Sequence, residues 1–180
     1  MRYPLDNPVT TQLFGENPSD YAEFGFPGHN GLDLVTYAKP PFVYSISPGI
    51  VDKVSWEAGG YGKYIVILHP GNWLSYYAHL DTVLVLPSQV MDVNTPIGVM
   101  GTTGNSSGPH LHLGIRMNYT TGPYKGYIDP LPILNETLKI EYFLTNYPKP
   151  ASKPAKPQTP VSKLVGTWKN KTIYRMKRLF

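Results

Sequence analysis

The chain is expected to fold as an all-β protein, an antiparallel sheet that partly closes on itself into a barrel-like body with little helix. Three observations predict this. Segments rich in β-branched and aromatic residues recur through residues 49 to 80, and such residues suit a pleated, half-buried surface. Only a few glycine, proline and asparagine residues separate these segments, and connections that short join antiparallel neighbours. Helical spacing of apolar residues is scarce, and no internal repeat is apparent.

The first informative segment is Gly28-His-Asn-Gly-Leu-Asp-Leu34. Gly28 and Gly31 disfavour a helix. In extended chain, residues i and i+4 share a face, so His29 and Asp33 converge while Leu32 and Leu34 turn into the core. Taken alone, the segment is equally compatible with Asp33 capping a turn and His29 lying exposed. Three strands are then expected at Gly49–Trp56, Lys63–His69 and Trp73–Leu80, entered through turns at Ser47–Gly49, Ala58–Gly62 and Pro70–Asn72. His69, at a strand end before Pro70-Gly71, is assigned to the surface. Tyr61, Tyr76 and Tyr77 are near enough to line a groove but suit packing better. Asn30 and Ser107 are candidates for supporting hydrogen bonds.

The run Gly101-Thr-Thr-Gly-Asn-Ser-Ser-Gly-Pro109 brings backbone close to whatever the next strand presents. No Gly-Lys-Ser/Thr follows, so it is not a phosphate loop. On that strand His110 and His112 face one way, and Leu111, Leu113 and Ile115 the other. Gly114 continues the histidine face and leaves room for a ligand to lie along it. Two adjacent imidazoles are costly to bury unless a metal, a carboxylate or water satisfies them. Two exposed histidines on an edge strand would show the same alternation. Residues 134 to 144 are expected to form one short helix.

Composition narrows the chemistry. The 180 residues include no cysteine and are 41% hydrophobic, which fits one folded domain with an appendage and excludes disulfide frameworks and thiolate metal sites. Any transition-metal site must therefore use histidine and carboxylates. No apolar run approaches the roughly 18 residues of a membrane span, and the N-terminus has no apolar signal core. A soluble monomer made in the cytoplasm, with release or export by another route, is expected.

The net charge of +4 conceals a segregation of sign. Residues 1 to 147 carry all twelve acids and seven bases, a net of −5, whereas residues 148 to 180 carry nine bases and no acid. The expected division is a domain over 1–147, a linker over 148–160 with five prolines, and a basic tail over 161–180. The tail is either a solvated appendage or an electrostatic tether to an anionic polymer such as a cell envelope or nucleic acid, of which nucleic acid is not favoured. The high pI belongs to the tail and says nothing about the main domain.

Three motifs in order, Gly28 to Asp33, Tyr77-Ala-His79-Leu80 and Gly101 to His112, resemble those of the lysostaphin-type (LytM-like) zinc metallopeptidases. That family cuts peptide stems or cross-bridges of bacterial peptidoglycan. The resemblance covers roughly residues 24 to 134. It implies Zn2+ held by His29, Asp33 and His112, with His79 and His110 as catalytic, non-ligand histidines. Two neutral imidazoles and one carboxylate would leave the zinc site a formal +1 and one position for water.

The implied reaction is hydrolysis of a peptidoglycan peptide bond, with His79 or His110 as general base toward water and the other imidazole helping to stabilise the oxyanion. The family often carries an acidic residue after the His-x-His strand, where this chain has Gly114-Ile-Arg116. No segment at the N-terminus resembles an inhibitory pro-region, so the groove is expected to be open. Action at the bacterial cell wall, in the manner of a phage endolysin or a processed fragment, follows by analogy. Two other readings are a non-cutting module that binds wall peptide or regulates an amidase, and a virion structural protein whose peptidase domain assists wall penetration. Degenerate family members lose ligands, and this chain keeps all three.

Overall fold

The computed structural model describes residues 1–117 and 122–136. The described strands are β1 (Val9–Gln12), β2 (Leu32–Val35), β3 (Phe42–Tyr44), β4 (Gly49–Glu57), β5 (Gly62–His69), β6 (Trp73–Val83), β7 (Val90–Met91), β8 (Pro96–Met100), β9 (Leu111–Met117) and β10 (Tyr127–Ile128). Two short helices, α1 (Pro18–Tyr21) and α2 (Pro130–Leu134), and a 3-10 turn at Ala22–Phe24 complete them. The three expected strands are β4, β5 and β6, and β6 continues past Leu80 to Val83.

The strand pairs among the described residues are antiparallel. The main path runs β1-β2-β9-β6-β5-β4-β7, with β10 beside β9 and β8 joined to both β3 and β6. Its two ends do not meet, so the sheet is all-β and antiparallel as expected but stays open. Register sets up the site. On β9, His112 faces Asp33 of β2 on one side and Ala78 of β6 on the other.

The opposite face of the same strands is core. Leu32, Leu34, Ile65, Ile67, Leu80, Leu111, Leu113 and Ile115 are fully buried. Removing a leucine or isoleucine side chain from water contributes about 1.5–3 kcal/mol, so the strands that carry the histidines are anchored by their opposite face.

One expectation changes here. His69 is 3% exposed, not at the surface. It faces Trp73 across the Pro70–Asn72 turn and stacks on that indole at 3.9 Å between ring centres. Its Nδ1–H donates to the Pro48 carbonyl (2.9 Å), and the Ser75 hydroxyl bridges Nε2 (2.7 Å) to the Tyr77 hydroxyl (2.9 Å). Tyr77 packs in the core, as expected: it is fully buried, and its hydroxyl accepts from Ile46 N–H at 2.9 Å. A short helix, α2, starts at Pro130 because the Asp129 side chain caps it by accepting from Leu131 N–H and Pro130 occupies the first turn. Residues 137–144 of the expected helix, the 148–160 linker and the 161–180 tail lie outside the described residues.

Candidate active site

His29, Asp33 and His112 converge. His29 Nε2 lies 2.9 Å from His112 Nδ1 and 3.1 Å from Asp33 Oδ1, which is 3.0 Å from His112 Nδ1. All three residues are buried, at 0%, 6% and 4% exposure. His29 Nδ1–H donates to the Leu13 carbonyl (3.0 Å), which directs the Nε2 lone pair inward. His112 Nε2 is buried with no hydrogen-bond partner, and Gly31 packs so closely that a Cβ there would lie 2.7 Å from it.

A cation fits this cluster. Ligands on a tetrahedral zinc with bonds of about 2.0–2.1 Å are separated by roughly 3.3 Å, close to the separations found. One carboxylate oxygen and two imidazole nitrogens are also the donor types zinc takes, and these three residues can hold a metal ion.

His79 and His110 stand beside the trio. Their rings are 4.6 Å apart, and His79 is 6.0 Å from the His112 ring. His79 Nδ1–H donates to the Thr103 carbonyl (2.8 Å), and His110 Nδ1–H to the Gly108 carbonyl (2.8 Å). A carbonyl only accepts, so Nδ1 carries a proton in both rings and each ring turns its Nε2 the other way. That of His110 lies 3.5 Å from Asp33 Oδ2. His79 has φ of 59°, which is uncommon for a non-glycine residue.

Electrostatics follow from burial and contact. Burial alone would raise the Asp33 carboxyl, but hydrogen bonding to His112 and His29 outweighs it and holds the group well below the usual carboxylate range. Burial lowers His112, with Asp33 opposing. Burial, and then His112, brings His79 from 6.5 to about 4, so its imidazole is neutral at pH 7.

These residues open on a groove of about 670 Å³, to which Tyr21, Phe26, Tyr61, Ser107 and Tyr127 also contribute. Asn30 donates from Nδ2 to the Tyr61 hydroxyl (2.7 Å). Burial pushes Tyr61 up to about 12, with Tyr127 and Asn30 opposing. The space expected beside Gly114 is filled instead. A Cβ there would lie 3.0 Å from the Tyr127 ring, because β10 folds back beside β9. Arg116 donates from Nε to the Lys125 carbonyl (3.1 Å) and secures that turn. Tyr21, Thr103 and Tyr127 escaped sequence reasoning. Only the position of Thr103 inside a glycine-rich loop signalled it.

Peptidase family M23 matches residues 27–125, which include all five site residues. The chain is 35% identical over 118 residues to the peptidoglycan DD-endopeptidase ShyB of Vibrio cholerae, covering 63% of this chain and 27% of that protein. It is 36% identical over 134 residues to the murein hydrolase activator NlpD of Salmonella dublin, covering 74% and 31%. The chain therefore spans only about a quarter to a third of these curated relatives. The catalytic domain of the antimicrobial peptidase lysostaphin from Staphylococcus simulans superposes with a TM-score of 0.60 at 26% identity, covering 72% of this chain and 93% of that one. With its sheet, motif order and site geometry all in agreement, the chain belongs to Peptidase family M23.

Proposed function

We propose that the chain is a zinc-dependent endopeptidase that hydrolyses peptide bonds in bacterial peptidoglycan stems or cross-bridges. The observation that carries this reading is the convergence of His29, Asp33 and His112 beside two histidines whose Nε2 atoms turn away from their carbonyl partners. The trio would hold the metal. Bound zinc would supply Lewis acidity toward the peptide carbonyl and toward water. His79, neutral at pH 7, is fit to accept a proton at Nε2 as general base. His110 is placed to share that role and to return the proton to the leaving amine.

The groove then carries the peptide, and its aromatic walls limit water around the bond. The protein would act as a monomer at the bacterial cell wall, as an endolysin does, with residues 1–147 as the catalytic domain. The basic segment 161–180, beyond the 148–160 linker, would hold it to anionic wall polymer.

Likeness to NlpD favours one second reading, a non-cutting activator on the same scaffold. Metal analysis combined with wall digestion separates the two. The peptidase should carry about one zinc per chain, clear wall suspensions and lose activity on chelation. His112→Ala should lose the metal, whereas His79→Ala should keep it and lose turnover. Intact walls treated with fully zinc-loaded protein would favour the activator, and undiminished cutting by both variants would overturn the assigned roles.

A further inference from the structure

We propose that Thr103 is a positioning residue for His79, acting through its backbone carbonyl and its hydroxyl together; the inference rests on the peptidase reading above. The starting point is an irregularity in β6. Against β5, the register runs from Lys63↔Leu80 to Ile65↔Tyr77, two residues on one strand against three on the other. The extra residue makes a bulge, a device that re-aims a side chain. His79 lies in it, with its positive φ and its N–H donated to the Tyr61 carbonyl at 2.8 Å.

Thr103 occupies the opening this creates. Its hydroxyl accepts from Lys63 N–H (3.0 Å) and donates to the Leu80 carbonyl (2.8 Å). One hydroxyl thus joins the N–H of β5 to the C=O of the residue facing it on β6, immediately after His79. The Thr103 carbonyl receives the His79 ring proton at Nδ1. The two contacts sit at opposite ends of one residue, so the bond that holds the bulge also sets where the carbonyl points.

Close packing leaves this residue little freedom. Gly62 approaches so nearly that a Cβ on it would lie 2.3 Å from the Thr103 carbonyl carbon and 2.4 Å from its Oγ1. The loop is tied again by Asn105 N–H to the Gly60 carbonyl at 2.9 Å. The consequence for chemistry is direct. With Nδ1–H held by a carbonyl, His79 presents Nε2 as a proton acceptor in a fixed direction.

Thr103→Val keeps the shape and removes the hydroxyl, and Thr103→Ser keeps the hydroxyl and removes the methyl group. Zinc-loaded variants are compared by turnover of soluble cross-linked muropeptides and by long-range 1H–15N spectra of the histidine rings, with His79 assigned from His79→Ala. Thr103→Val should lower kcat by about 10–100-fold with KM within about two-fold, keep wild-type zinc content and lose the slowly exchanging Nδ1–H signal of His79. Thr103→Ser should stay near wild type in each. A Thr103→Val protein with wild-type kcat and an intact Nδ1–H signal overturns the proposal, as does Thr103→Ser falling equally far. Should the valine variant not fold, Thr103→Ala carries the same comparison. If the wild-type chain cuts no muropeptide, the peptidase reading falls, and the Nδ1–H signal alone still decides the role of Thr103.

Discussion

His69 makes stability depend on pH in a way that can be worked out from its surroundings. Burial against Trp73 lowers its pKa from 6.5 to about 4, with the Pro48 carbonyl only partly opposing. The unfolded chain therefore binds a proton at this residue below pH 6.5, where the folded chain still does not. The contribution is complete above pH 6.5 and is lost as pH falls toward 4. With those two values, lowering pH from 7.5 to 5 costs about 2 kcal/mol, and the full loss approaches about 3 kcal/mol below pH 4. His69→Asn cannot take up this proton. The variant should lose about 1–3 kcal/mol at pH 7.5 from the broken stacking and hydrogen bonds, yet its stability should fall less steeply with acid. Urea denaturation of both zinc-saturated proteins at pH 7.5, 6 and 5 measures the difference, in which the shared titration of the metal site cancels. Parallel stability profiles for the two proteins would refute the assignment of a neutral, desolvated imidazole.

Other perturbations test other contacts. Gly31→Ala places a Cβ 2.6 Å from the Leu113 carbonyl and 2.6 Å from His112 Cε1; this overpacking should cost about 1–3 kcal/mol and weaken zinc affinity, read by melting and by competition with a chelator. Tyr77→Phe leaves buried Ile46 N–H without its acceptor and should cost about 1–3 kcal/mol in urea while leaving metal content unchanged. Deleting residues 148–180 removes nine bases and changes the net charge from +4 to −5. Sedimentation with purified walls should then show weaker binding at low salt and little difference at high salt, with soluble muropeptides cut as before.

The outlines of the fold were legible because strand formation is read from neighbours along the chain. β4, β5 and β6 each carry β-branched and aromatic residues between turn residues. Alternation on β9 correctly assigned Leu111, Leu113 and Ile115 to the core, since a period of two forces their direction once one face is buried.

Local reading failed where a partner distant in sequence decides. His69 sits in turn-like surroundings, and only the register that brings Trp73 and Ser75 beside it reveals burial. Gly114 promised a vacancy, but residue 127 returns to fill it. Nothing near residue 103 announces that its hydroxyl would link β5 to β6.

The sequence by itself limited the donor chemistry: without cysteine, a transition-metal centre would have to come from histidine and carboxylate, and the family resemblance implied His29, Asp33 and His112 with His79 and His110 beside them. The tertiary structure alone decided how these groups are aimed. The β2-β9-β6 register sets Asp33 and Ala78 on either side of His112, and the β6 bulge turns His79 toward Thr103. Residue identity supplies donors and acceptors, but their direction depends on backbone pairings between segments some eighty residues apart, which no local spacing encodes.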